Sequence, residues 1–214
     1  MKSRCPDLAV EAYHLYLRVA DAIGYKIYRE ISKRTWLAET IYASLLYPRQ
    51  LESIERVFDR ETMSNPFIRR IGLENLRQRV EQASAACIAE IDWQKASLAG
   101  FSVCLCQLTA SIYFIRKIKE KAPHLPVVIG GSTLAADSAE QMLKAFPEVD
   151  FIVTGEGELP LAQLVYHQLK SSRRPGKIPP TIQGLISRRA MDNSAIKPHC
   201  QLQDLADLPT PDFD

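Results

Sequence analysis

The chain has 214 residues, of which 46% are hydrophobic and 24% charged, a balance that allows a buried core. Its formal net charge of +2 argues against nucleic acid or an acidic membrane surface as a partner. No segment approaches the roughly 20 apolar residues that a bilayer crossing needs, and the first residues lack a hydrophobic signal segment. We therefore expect a cytoplasmic protein that is not held in a membrane.

The first 97 residues are mostly helical in pattern, and we expect them to belong to the same domain as the rest. Leu8–Leu15 alternates loosely and predicts a strand, although Leu8–Ile31 also fits one helix. Apolar residues at helical spacing then predict helices over Tyr16–Ser32, Trp36–Leu46 and Leu51–Phe58, followed by a long amphipathic helix from about Pro66 to Ile91.

From Leu98 the pattern changes to short apolar runs that alternate with helical segments. The runs predict strands at Leu98–Val103, Pro126–Ile129 and Asp150–Thr154, with a short edge strand at Ile182–Ser187. The segments between them predict helices at Thr109–Lys121 (with Ile112, Ile115 and Ile118 facing inward), Leu134–Ala145 and Leu159–Leu169. Such repeats indicate an α/β, Rossmann-like parallel sheet over residues 98–190, with helices on both faces and an extra N-terminal helical layer.

Three loops are expected at the carboxyl edge of this sheet, where ligands bind in open parallel sheets. They carry glycines and hydroxyl residues: Ser102–Thr109, with the Ser102 and Thr109 hydroxyls and the Gln107 amide; Gly130-Gly131-Ser132-Thr133; and Gly155-Glu156-Gly157-Glu158. Glycine lets a bulky ligand approach the backbone, and hydroxyls at a helix start can cap it or bind polar groups. Each loop could be only a tight turn, but together they favour a binding site.

No residue pattern in the chain predicts catalysis or a metal centre. The nucleotide-binding fingerprints GxGxxG and GxxxxGK are missing. Glu156 and Glu158 are close in sequence, but no second group at a known distance from them indicates acid–base catalysis. An odd cysteine count without a signal segment argues against disulfides. Cys104 and Cys106 lack a second Cys or His pair at zinc spacing, so we interpret them as small side chains in a buried loop.

Several of these segments together resemble a known family. Gly100-Phe101-Ser102, Val127–Ser132, Asp150–Glu158, Gly184–Ser187 and the closing Leu205–Asp214 are similar to the cobalamin-binding domain of cobalamin-dependent radical SAM proteins. The helical first part, with Trp93 before the strand and Gln107 after it, is most similar to the subgroup that matures ribosomally synthesised peptides.

The resemblance implies a flavodoxin-type strand order and a corrinoid against the carboxyl edge of the sheet. Carried over by position, the residues lining that site would be Ser102, Gln107, Gly130, Gly131, Ser132, Gly155, Glu156 and Gly157, beside the hydroxyls of Thr109 and Thr133. Full-length members also use a 4Fe–4S cluster and S-adenosylmethionine, and many are methyltransferases. The chain would then be a cobalamin-binding module that is not catalytic alone, with residues 191–214 as the linker towards a radical SAM domain that acts on a precursor peptide.

Three departures from the family pattern qualify this expectation. The Cx₃Cx₂C cluster motif is absent, so the chain alone is not expected to cleave S-adenosylmethionine. The DxHxxG motif is also absent, so no cobalt ligand is nominated. The strand and helix with which relatives begin are also missing, which predicts an exposed edge beside Leu98–Val103. Together with the absent cluster motif, this predicts that the chain is truncated at both ends. The alternatives are a non-catalytic Rossmann-like module that binds a nucleotide or a protein, and a vestigial fragment.

Overall fold

A computed structural model describes residues 8–134, 136–171 and 182–188. The chain divides into two compact units, each described by itself below. The helical unit consists of residues 13–96 and 103–125, and the described part of the sheet unit consists of residues 8–12, 97–102, 126–134, 136–171 and 182–188. The segment expected as a linker, residues 191–214, lies outside the described residues.

Seven α-helices form the helical unit. They are α1 (Leu15–Ile23), α2 (Tyr25–Ser32), α3 (Thr35–Leu46), α4 (Leu51–Thr62), α5 (Pro66–Ile71), α6 (Leu73–Ala89) and α7 (Leu108–Lys121). Short 3₁₀ turns at Pro48–Gln50 and Trp93–Lys95 precede α4 and follow α6. The helices predicted at Trp36–Leu46 and Thr109–Lys121 are confirmed to within one residue at each end.

Two helices predicted as continuous are each divided at a glycine. The segment Tyr16–Ser32 breaks at Gly24, where φ is 92°, and Pro66–Ile91 breaks at Gly72, where φ is 80°. Both angles lie far from helical values, and glycine is among the poorest helix formers. The apolar spacing continues across both breaks, which is why periodicity alone predicted single helices.

The strand predicted at Leu8–Leu15 is wrong. Residues 8–14 have no regular secondary structure, and Leu15 is the first residue of α1. Val10, in the middle of the segment, is 45% exposed, so the alternating pattern does not mark a buried face. A strand also needs a hydrogen-bonded neighbour, and the described sheet pairs none with this segment.

Helix α3 is at the centre of the helical unit, where it packs against α4, α6 and α7. The predicted inward face of α7 is confirmed, because Ile112, Ile115 and Ile118 are buried. The buried Tyr42 of α3 shares a hydrogen bond of 2.9 Å with the Ser84 hydroxyl of α6. These two buried hydroxyls are therefore paired with each other, which avoids the cost of burying them alone.

The sheet unit contains four described strands in the order β1 (Ala99–Ser102), β2 (Val127–Gly130), β3 (Phe151–Val153) and β4 (Leu185–Ser187). The first three are parallel, and β4 pairs with β3 in the antiparallel direction. Helices α8 (Ala136–Ala145) and α9 (Glu158–Ser171) follow β2 and β3. The α/β class with a mostly parallel, Rossmann-like sheet is thereby confirmed, and β4 is the predicted edge strand.

Two polar side chains fix the geometry of the sheet unit. The Asp150 carboxylate accepts a hydrogen bond of 2.8 Å from the Val127 N–H, which joins the starts of β3 and β2. Arg188, directly after β4, donates from Nη2 to the carbonyls of Phe146 (2.8 Å) and Val149 (3.1 Å), and also to that of Leu143. A cation at the end of α8 satisfies free carbonyls and complements the helix dipole.

Candidate functional site

The carboxyl ends of β1, β2 and β3 lie side by side in the sheet unit. Ser102, the last residue of β1, pairs in register with Gly130, the last residue of β2. One residue earlier, Ile129 pairs with Ile152 of β3. The chain therefore leaves all three strands at one edge of the sheet. That edge carries Ser102 and the two predicted loops, Gly130–Thr133 and Gly155–Glu158.

The loop after β2 is a compact turn that exposes two hydroxyl residues. Gly131 has a φ of 126°, a left-handed value that favours glycine, and its carbonyl accepts a hydrogen bond of 3.1 Å from the Leu134 N–H. Leu134 is buried, whereas Ser132 and Thr133 between them are exposed. Helix α8 begins at Ala136, two residues after the predicted start at Leu134. The residue directly before α8 lies outside the described residues, so a cap from Ser132 or Thr133 stays a prediction.

The loop after β3 is anchored by a residue that sequence patterns did not single out. Thr154 is fully buried, and its N–H donates a hydrogen bond of 2.8 Å to the Gly184 carbonyl. Gly155 follows with a φ of 83°, and the Gly157 carbonyl accepts a bond of 2.9 Å from the Leu161 N–H in the first turn of α9. Gly155, Glu156 and Gly157 are half-buried. Backbone hydrogen bonds thus anchor the loop at both of its ends.

Two of the predicted glycines pack against the protein interior. A Cβ on Gly130 would lie 3.4 Å from the Cβ of Val153, and one on Gly157 would lie 3.8 Å from Cγ1 of the same valine. A methyl group at either position would therefore make ordinary van der Waals contact, so the packing around Val153 does not by itself require glycine. Among the side chains of this edge, the exposed hydroxyl residues Ser102, Ser132 and Thr133 are able to form hydrogen bonds with a ligand.

Gln107 and Thr109 belong to the helical unit and have partners there. The Thr109 hydroxyl donates to the Glu39 carbonyl (3.0 Å), and the Thr109 and Leu108 N–H groups donate to the Glu39 carboxylate (2.9 and 3.1 Å). The Gln107 amide oxygen accepts a bond of 3.1 Å from the Cys104 N–H. The start of α7, which resembles an anion-binding helix terminus, is thus filled by a carboxylate of α3.

Glu39 could not have been found from local sequence. It lies 69 residues from Leu108, in a helix whose other features are typical of a core element. Capping patterns are recognised within a few residues of a helix start, so a cap supplied by a distant helix leaves no local signal.

The largest pKa shifts occur in the core of the helical unit. Burial raises the pKa of Tyr113 to about 12, and it raises the pKa of Tyr42 further, against the lowering effect of the Ser84 hydrogen bond. Desolvation is the main cause in both, because a buried phenolate loses its hydration. These shifts follow from packing in the core of α3 and α7. They do not mark an acid–base pair.

In the described parts of the chain, no group of three or more His, Cys, Asp or Glu side chains lies close enough together to hold a metal ion. None of the described helices has both the length and the apolar character required to span a bilayer. Comparison with protein-family models and with curated proteins finds no match for the chain.

Proposed function

We propose that the sheet edge formed by Ser102, Gly130–Thr133 and Gly155–Gly157 binds cobalamin, as a module of a radical SAM enzyme that modifies a peptide or another natural product. One observation carries the proposal: three neighbouring parallel strands end together, and each ends in, or is followed by, small or hydroxyl residues. Ligands in open parallel sheets bind at this edge. The resemblance of these segments to cobalamin-binding domains supports the choice of ligand.

The residues at the edge fit the chemistry of a corrinoid. A corrinoid is a broad macrocycle with peripheral amides and a nucleotide tail, so it needs a surface without large side chains and with hydrogen-bonding groups around it. The exposed Ser102, Ser132 and Thr133 hydroxyls can donate to amide oxygens or to the tail phosphate. The role of this chain is to bind and orient the cofactor, and cobalamin supplies the methyl-transfer chemistry when bound. No side chain is proposed as a cobalt ligand.

Titration of the purified chain with hydroxocobalamin, followed by absorbance and by retention on gel filtration, tests the proposal. The informative variant is Ser102→Trp, which places a large side chain on the edge, and we expect it to weaken binding by about tenfold or more, equivalent to about 1.4 kcal/mol. The matched control is Ser53→Trp, since Ser53 is also an exposed serine but lies on α4 of the helical unit. This control should bind as the unmodified chain does.

The titration has clear contrary results. If the folded chain neither retains hydroxocobalamin nor changes its spectrum, the corrinoid proposal fails. Binding of ATP or NAD without corrinoid would instead support the Rossmann-like nucleotide module. Equal loss of binding in both tryptophan variants would remove the sheet edge as the site. The radical SAM part of the proposal is tested separately, by whether the reading frame that follows residue 214 in the genome encodes a Cx₃Cx₂C motif.

A further inference from the structure

The turn Cys104–Gln107, directly before α7, holds two cysteines in a constrained backbone. The Gln107 N–H donates to the Cys104 carbonyl (3.2 Å), and the Cys104 N–H donates to the Gln107 amide oxygen (3.1 Å). Cys106 has a φ of 70°, a left-handed value that turns of this kind usually assign to glycine or asparagine. Leu105 at the corner is 66% exposed. Residues kept in unfavourable backbone conformations cluster at functional sites.

Both thiols of this turn are free, and Cys104 is exposed while Cys106 is half-buried. The interpretation of Cys104 as a buried packing residue is therefore wrong. Residues two apart have Cα atoms at most about 7 Å from each other. Two cysteines can be bridged directly when their Cα atoms are about 4.4–6.8 Å apart. The Cα separation that this spacing allows therefore overlaps the range in which two cysteine side chains can be joined.

We propose that Cys104 and Cys106 together bind one soft, two-coordinate metal ion, with Cu(I) as the best-matched case. Thiolates select soft ions such as Cu(I) over the hard ions that prefer oxygen. A structural zinc site needs four ligands, and no group of three or more His, Cys, Asp or Glu side chains in the described residues is arranged to hold a metal ion. On binding, each thiol releases its proton to solvent and forms a sulfur–metal bond. Copper remains in the Cu(I) state, and no electron is transferred.

The experiment is an anaerobic titration of Cu(I) in competition with bicinchoninate. The starting protein is the Cys5→Ser, Cys200→Ser variant, because those two cysteines lie outside the described residues and would add thiols of their own. We expect one Cu(I) per chain. Cys104→Ser and Cys106→Ser should each weaken Cu(I) binding by more than about a hundredfold. Loss of a residue that only supports a metal ligand weakens metal binding by at most about a hundredfold, so a larger loss indicates a direct ligand.

Cys87→Ser is the matched control, because Cys87 is a free cysteine of the same unit but is only 2% exposed in α6. It should leave the titration unchanged, and far-UV circular dichroism reports whether each variant is folded. Binding that survives the double variant Cys104→Ser, Cys106→Ser overturns the site. Full loss from one single variant with none from the other overturns the two-sulfur geometry.

A second measurement needs no substitution in the turn. Phenylarsine oxide, a reagent for paired thiols, should add once per chain to the starting protein, with its oxygen leaving as water together with the two thiol protons. It should then protect both Cys104 and Cys106 from iodoacetamide in a peptide map. Alkylation of both cysteines despite the arsenical would contradict the proposal even if the serine variants failed to fold.

Discussion

The carboxylate of Glu39 is expected to be one of the most important polar groups for the stability of the helical unit. It accepts hydrogen bonds from two backbone N–H groups at the start of α7, those of Leu108 and Thr109, and it lies where the helix dipole is positive. Glu39→Ala removes both acceptors at once. It leaves the bond from the Thr109 hydroxyl intact, because that bond goes to the backbone carbonyl of residue 39.

The magnitude follows from these contacts. Loss of a helix cap typically costs about 1 kcal/mol and at most about 2 kcal/mol. Loss of a negative charge near the helix start adds about 0.3–1 kcal/mol. Glu39 is half-buried, so water replaces part of what is removed. We expect Glu39→Ala to lower the free energy of unfolding by about 2 kcal/mol, and Glu39→Gln, which keeps one acceptor oxygen, by about 1 kcal/mol.

Urea unfolding followed by circular dichroism at 222 nm (the α-helix band) measures this difference, and a thermal scan should show Tm lower by about 4–8 °C for the alanine variant. Glu55→Ala is the control, because Glu55 is an exposed glutamate on α4, and it should change stability by less than about 0.5 kcal/mol. If Glu39→Ala falls within the range of this control, the carboxylate does not stabilise α7 and the reasoning is refuted.

Three further predictions concern backbone strain, a half-buried cation and pH. Cys106→Gly should raise the free energy of unfolding by about 1 kcal/mol, because φ is 70° there, and a lower value measured by urea unfolding would contradict the strain. Arg188→Met should lower the free energy of unfolding by about 2 kcal/mol, because the hydrogen bonds to the carbonyls of Phe146 and Val149 are lost. Arg29→Met is the control, since the Arg29 side chain is 72% exposed, and it should leave the free energy of unfolding unchanged. The hydrogen bond from Arg18 lowers the pKa of Glu90, so the contribution of this pair is present at neutral pH and is lost as the pH falls below the usual value of 4.5. Arg18→Met should therefore differ from the unmodified chain at neutral pH and converge with it in acid unfolding curves.

The alternation of strands and helices could be predicted because it depends on local apolar runs. Every strand predicted after residue 98 is present, and the inward face of α7 has the residues expected. Helix continuity was harder to predict, since Gly24 and Gly72 interrupt the helices without interrupting the apolar spacing. The prediction of a strand at Leu8–Leu15 was wrong for another reason. Alternation over so few residues does not show that a neighbouring strand is present, and a strand needs one for its hydrogen bonds.

The candidate edge was partly predictable from the positions of its glycines and hydroxyls at strand ends. Composition could not tell which glycines the backbone requires. Gly131 and Gly155 have positive φ values, whereas a methyl group at Gly130 or Gly157 would make only ordinary contacts with Val153. The roles of Gln107 and Thr109 were also hidden, since Glu39 is far away in sequence. Long-range polar contacts of this kind depend on the completed fold, so periodicity and local motifs do not reveal them.

The order of the two units along the chain has a consequence for biosynthesis. The helical unit takes residues 103–125 from between β1 and β2, so the two units are interleaved. During translation the helical unit is complete once residue 125 has left the ribosome, while β1 has been made but its partner β2 has not. The sheet unit must wait for Arg188, whose guanidinium joins the end of the last described strand to the end of α8. No single cut in the chain separates the units. A ribosome stalled after residue 125 has emerged, but before β2 has, would expose a finished helical unit while β1 has no partner strand.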